Sequence, residues 1–333
     1  MRKVGLKPVV IAVGIALISA CGSGGGGDDG PTSSSVSGIA SKGIIRNGVV
    51  KAYKIENGQV DTTAIAEGTT DNTGAYSLTI TGYNGPLHIV VSAGPSSEMK
   101  CDAASGCSGG YNFGDIMPMP STMEMAAVIP TVSAGSIEGH VTPLTNMAAT
   151  LAQNTFLDST NIATAIAKVE EIFDVTDLLA TTPVDVTDSA AVAAAEASGD
   201  GDSLKVGFIS AAIAELAETD GAGDIDATLD TLSDNFAGNN GELTYNNADD
   251  GDGGAGDAST ITLGEITTLT LAAVAKYETD SGDDLADTLV ETEVTALDTT
   301  ANDSSNTGSN TVTTITVDDT ALADAIAAAK GAV

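Results

Sequence analysis

The pattern of apolar and polar positions changes its period once along this chain. Between residues 36 and 135, strand signals follow one another closely, in the runs 36–40, 49–55, 62–67, 76–81 and 87–92. The run 76–81 alternates cleanly: Tyr76, Leu78 and Ile80 share one face and Ser77, Thr79 and Thr81 the other, the pattern of a half-buried strand with one wet face. Asn57 with Gly58, Asn72 with Thr73 and Gly74, and Asn84 with Gly85 and Pro86 separate the runs; glycine there supplies the positive φ that turns demand. Short strands at this spacing predict a β-sandwich over residues 36–135. His88 falls on the side of Val90 and Ser92, opposite Leu87, Ile89 and Val91, and is expected to be solvated. Met117, Met119, Met123 and Met125 have adaptable side chains suited to a binding surface, but packing of an edge strand is the simpler role.

Near residue 140 the period becomes helical. Thr142 is a good N-cap with Pro143 at the first helical position, and Leu144, Met147 and Leu151 form a stripe. The stripe recurs in Ile162, Ile166, Val169 and Phe173, in Ile209, Ile213 and Leu216, in Ile225, Leu229, Leu232 and Phe236, and in Ile266, Leu269, Ala273 and Tyr277. Val290, Val294 and Leu297, then Leu322 and Ile326, complete the set. Each is an amphipathic helix with an Ala-rich face. The predicted class is therefore α+β, with an N-terminal β-sandwich followed by an Ala-rich α-helical bundle over residues 140–333. Residues 298–310 read as a polar disordered tract, and 311–317 alternate enough to be an edge strand or a donor to a neighbour's sheet.

The first 35 residues have another logic. Arg2, Lys3 and Lys7 precede an apolar run from Val9 to Ala20, the layout of a secretory signal over residues 1–20. The run is too short to span a bilayer, which needs roughly 20 apolar residues. Leu17, Ile18, Ser19, Ala20 and Cys21 resemble the lipobox of bacterial lipoproteins. The resemblance implies that Cys21 is acylated and becomes the first residue of the mature chain. It also implies two or more acyl chains, which suffice for stable anchoring. In enterobacterial lipoproteins an Asp after the Cys retains the protein in the inner membrane, so Gly22 favours the outer membrane, with the protein periplasmic or surface-exposed. Residues 21–35 then form a flexible Gly, Ser and Asp tether with a span of ~20 Å.

Charge sharpens the division. Residues 36–115 carry five basic residues against seven acidic, whereas residues 116–333 carry four against thirty-seven. So acidic a surface repels nucleic acid and anionic lipid, which excludes both as partners. It suits a salty exterior, divalent cations or a basic partner, and it also serves solubility. Acidic Gly-rich loops lie between the helical segments, at 198–202, 246–257 and 280–284. Calcium wants six to eight oxygens, which makes Asp249, Asp250, Asp252 and Asp257 candidate ligands. The spacing is not that of an EF-hand, because Gly254 and Ile261 stand where a third ligand and the closing Glu belong. Cys101 and Cys107, the two thiols apart from Cys21, are expected to form a disulfide outside the cytoplasm.

The strand-rich part also carries a family resemblance. Residues 37–43 (SGIASKG), 47–53 (NGVVKAY) and 70–78 (TDNTGAYSL) resemble the carboxypeptidase regulatory-like, transthyretin-like β-sandwich. In its Asp-x-x-Gly-x-Tyr step, Asp71 caps the turn, Gly74 takes the backbone angle and Tyr76 re-enters the sheet with its ring inward. The family's module is non-catalytic and accompanies other domains. The collagen-adhesin B-type repeat is a related resemblance; there Lys42 is a conceivable isopeptide donor, without a clear catalyst or acceptor at matching positions.

Function is narrowed by what chemistry requires. The chain has two histidines and none of the nucleophile, zinc-protease or phosphate-loop motifs, so a non-enzymatic role is expected. The leading expectation is a lipid-anchored surface protein for adhesion, scaffolding or binding of a protein or polysaccharide, attached to the membrane by its lipid. A filament subunit assembling by strand exchange through residues 311–317 and a calcium-dependent adhesin are the alternatives.

Overall fold

A computed structural model of the protein describes residues 33–133, 135–219, 223–243, 261, 263–282, 285, 289, 290, 292 and 293. Strands come first: β1 (Ser33–Ile39), β2 (Ile45–Arg46), β3 (Val49–Glu56), β4 (Gln59–Thr69), β5 (Ala75–Thr81), β6 (Leu87–Ser92), β7 (Glu98–Lys100), β8 (Ile116–Pro118), β9 (Glu124–Ile129) and β10 (Gly135–Glu138). Helices follow: α1 (Pro143–Gln153), α2 (Ser159–Phe173), α3 (Ser189–Ser198), α4 (Gly201–Thr219), α5 (Ile225–Gly238) and α6 (Leu263–Ser281). The class is α+β, with three sheets ordered β10-β1-β5, β2-β7-β8 and β4-β3-β6-β9.

Local chemistry explains the turns. Asn57 and Gly58 both take positive φ, 54° and 75°, the backbone of a two-residue type I′ hairpin, and Glu56 pairs with Gln59 across it. In the following turn Asp71 Oδ1 accepts hydrogen bonds from Thr73 N (2.7 Å), Thr73 Oγ1 (2.7 Å) and Ala75 N (3.0 Å), which hold its pKa below the usual carboxylate range. Gly74 has φ +77°, and a Cβ there would lie 2.7 Å from Ala40 O. Tyr76 then enters the core and donates its hydroxyl hydrogen to Gly139 O. Along β5, Tyr76, Leu78 and Ile80 are buried while Ser77, Thr79 and Thr81 are exposed.

The two ends of the four-stranded sheet are finished differently. On β4, Asp61, Thr62 and Thr63 bulge opposite the single residue Lys54, because Tyr53 pairs with Ala64 and Ile55 with Val60. Such a bulge blunts an edge against further strand pairing. On β9, helix α1 covers the edge: Ala126 N donates to Asn146 Oδ1 (2.9 Å), and Thr145 Oγ1 donates to Ala126 O (3.4 Å). Met123 and Met125, leading into and on β9, are buried, as is Met119.

The solvated position expected for His88 does not occur. β6 is an inner strand between β3 and β9, every residue from Leu87 to Val91 is buried, and His88 is 8% exposed. Both of its faces are covered, so alternation does not signal a wet side.

The helices are set by their caps. Thr142 caps α1 just before Pro143, as the sequence predicts, and Thr145 completes a reciprocal capping box with it. Asp158, Asp188 and Asp224 cap α2, α3 and α5, so part of the acidic surplus satisfies backbone donors at helix starts. The expected loop at 198–202 is a short break: Gly199 closes α3 with φ 75°, and Asp200 accepts from Ser203 N and Oγ at the start of α4. α4 departs from the amphipathic expectation, since only Asp202, Glu218 and Thr219 in it are not buried. Its small residues let neighbouring helices approach on several sides. The step in charge near residue 116 is not a step in packing, because Val36, Ile89, Met125, Leu144, Phe173 and Ile266 belong to one apolar cluster. The expected helical stripes beyond residue 293, the tract 298–310 and the strand 311–317 lie outside the described residues.

Candidate functional site

A cluster of polar contacts lies where the segment around Cys101 and Cys107 meets α4. The two sulfurs are bonded, at 2.09 Å, and close a small loop. Main-chain hydrogen bonds shape that loop from within: Gly106 N donates to Ala103 O (3.0 Å), Cys107 N to Tyr111 O (2.8 Å) and Gly114 N to Cys101 O (2.7 Å). Gly106 and Gly109 take φ of 94° and 88°, a conformation open to glycine at little cost. The loop's side chains face outward to two other parts of the fold.

Asp102 reaches the strand layer. Its Oδ1 lies 2.7 Å from Lys42 Nζ, with the two side chains 5% and 0% exposed. Oδ2 accepts from Gly43 N (2.8 Å) and from Ser210 Oγ on α4 (3.4 Å). Lys42, conceivable from the sequence as an isopeptide donor, is thus engaged in a buried ion pair. Gly43 has φ +53°, and a Cβ there would stand 1.9 Å from Lys100 O, so this approach requires glycine. Nearby, Lys100 Nζ bonds the Asp185 carboxylate and Thr187 Oγ1 (3.1 Å).

Ser105 and Ser108 reach the helical layer. Ser105 donates from N (2.8 Å) and Oγ (3.0 Å) to Glu215 Oε2. Ser108 donates from N (2.8 Å) to Glu218 Oε1 and from Oγ (2.9 Å) to Glu218 Oε2. The two glutamates are three residues apart on α4, hence on one face. Cys101, Ala103 and Ala214 form a small apolar cluster beneath them, with Tyr111 and Met117 packed against it. Paired hydroxyl and amide donors, each pair meeting one carboxylate, fix orientation.

A second charged centre surrounds Lys205, which is 1% exposed at its side chain. Its ammonium donates to Asp174 O and lies 3.3 Å from Asp174 Oδ2, 3.5 Å from Asp202 Oδ1 and 3.0 Å from Glu293 Oε2. Burial alone would lower the pKa of Lys205, but Glu293 and Asp174 outweigh it and the value is raised. Glu196 accepts from Leu289 N (3.1 Å) and Val290 N (2.8 Å), so two glutamates tie down the segment around residue 290.

Both histidines are interior. Ile39 N donates to His140 Nδ1 (2.9 Å), and burial lowers the pKa of His140. The ring nitrogens of His88 have no hydrogen-bond partner, and burial pushes its pKa down to about 4. On the surface, Asp226, Asp230 and Asp234 follow one another at helical spacing along α5. Burial and then Asp226, Asp234 and Asp224 raise the pKa of Asp230; burial and then Asp226 and Asp230 raise that of Glu124.

Of the residues singled out from the sequence, Cys101 and Cys107 are brought together. Cys21 and the candidate calcium ligands Asp249, Asp250, Asp252 and Asp257 lie outside the described residues. Among the described residues no group of three or more His, Cys, Asp or Glu is placed to hold a metal ion, and no helix is long and apolar enough to cross a membrane. Sequence reasoning missed the partners of Lys42 and Lys205 and the roles of Glu215 and Glu218. Their signal is a lone charge inside an apolar stretch, as Lys205 and Glu215 are within the Ala, Val and Ile run of α4. No protein-family model, curated protein or solved structure matches the chain.

Proposed function

We propose that this protein is exported, held at the outer membrane by acyl chains on Cys21, and acts there without catalysis as an adhesion, scaffolding or partner-binding module. The observation that carries the reading is the run Leu17, Ile18, Ser19, Ala20, Cys21 after a basic and apolar leader. A bond between Cys101 and Cys107 suits an oxidising compartment. The burial of both histidines, His88 at 8% and His140 at 5% exposure, supports a binding role, since neither is offered to a substrate as a base.

The strand-rich part is read as a transthyretin-like sandwich on the strength of the Asp71, Gly74 and Tyr76 step, and the helices as an Ala-rich bundle. The partner is a protein or polysaccharide at the cell surface. The acidic ridge of α5 with Glu124 favours a partner that presents basic groups. Radiolabelled palmitate enters the wild-type protein and not the Cys21→Ser variant, and the variant is released from membranes. A variant that stays membrane-bound without label contradicts the reading.

A further inference from the structure

We propose that the Cys101–Cys107 bond is a redox latch for the joint between the strand layer and the end of α4. With the bond closed, the loop is a short ring that presents Asp102 to Lys42 on one side and Ser105 and Ser108 to Glu215 and Glu218 on the other. These contacts come from residues of the ring or next to it, so one covalent closure, together with the main-chain bonds of the loop, holds them in register. Gly223, which precedes α5, sits so close that a Cβ would stand 1.8 Å from Ser108 Oγ, and it therefore shares the joint. Opening the ring frees a segment rich in Gly, Ser and Ala, and the counter-charge of the buried Lys42 then rests on a flexible chain. The loss falls on the joint, because β3 and β6 draw their order from strand pairing and the main core.

The switching step is a thiol–disulfide exchange. One thiolate of a dithiol attacks Sγ of Cys107, the part-exposed member of the pair, which breaks the Cys101–Cys107 bond, releases Cys101 as a thiolate and leaves a mixed disulfide on Cys107. The second thiol of the reductant then displaces Cys107. Two electrons and two protons pass to Cys101 and Cys107, and the reductant ends as its own disulfide. The latch is a property of the folded chain and does not depend on the lipid anchor.

Hydrogen–deuterium exchange on the full chain, with and without dithiothreitol at neutral pH, tests it. Residues 101–115 and 215–219 exchange on the order of tenfold faster after reduction, while β3 and β6 keep their protection. The Cys101→Ser/Cys107→Ser double variant shows the reduced pattern without any reductant. Unchanged exchange at the end of α4 in both experiments overturns the latch, and so does loss of protection throughout the chain, which would make the bond a support of the whole fold.

Discussion

The Asp102 carboxylate stands 2.7 Å from Lys42 Nζ with neither side chain more than 5% exposed. Removing one member of such a pair leaves a charge in the interior, at a cost of about 3–5 kcal/mol, whereas replacing both with apolar residues is far milder. Asp102→Asn is therefore expected to lower the denaturant midpoint sharply. Lys42→Met/Asp102→Leu should recover part of that loss, the remainder being the acceptor that Gly43 N and Ser210 Oγ forfeit. Equal midpoints for Asp102→Asn and the wild type would show that the pair carries little of the stability.

His88 makes stability depend on pH. Its pKa is about 4 in the folded protein, against about 6.5 when unfolded. The unfolded chain thus binds the proton first, and the contribution is complete above pH 6.5. It is lost as pH falls from 6.5 toward 4, amounting to about 3 kcal/mol over that window. Thermal melts of the wild type between pH 7 and 4.5 should show this slope, and His88→Leu should lessen it, leaving the part due to His140, without loss at pH 7, since the His88 ring nitrogens have no partner to forfeit.

The ridge of α5 repels itself. Asp226, Asp230 and Asp234 are spaced four apart, and like charges at that spacing destabilise a helix by ~0.3 kcal/mol per pair. Because the pKa of Asp230 is raised, its protonation stabilises the fold, and that gain is lost as pH rises. Asp230→Asn should raise the melting temperature slightly in low salt, with the difference shrinking in 1 M salt, where charges are screened to about 3 Å. A gain independent of salt would point to packing instead.

The capping box of α1 gives a local test. Thr142→Ala removes the acceptor for Thr145 N (3.2 Å), a change worth about 1 kcal/mol. Circular dichroism melts that leave the midpoint unmoved would mean that the α1 start is held by other contacts.

Much of this architecture is legible without coordinates where one rule governs a position. The Asn57 and Gly58 turn, the alternation of β5 and the Thr142 start of α1 each follow from local chemistry. Legibility fails where tertiary packing decides. His88 sits on an inner strand whose two faces are both covered, so alternation misplaces it. α3 escapes notice because its run of alanines has no apolar stripe, and only Val192 and Ala195 in it are buried. α4 reads as amphipathic, yet neighbours surround it. The joint at residues 101–108 was half visible: the spacing of Cys101 and Cys107 predicts their bond, but nothing local links Ser105 to Glu215, more than a hundred positions away.

The central claim is that acyl chains on one sulfur hold this protein at a membrane, and mass spectrometry of the N-terminal peptide from the membrane fraction tests it most directly. The account predicts a chain that begins at Cys21 and carries diacylglyceryl and N-acyl mass. A soluble protein that begins at Met1, with Cys21 as a free thiol, would contradict it.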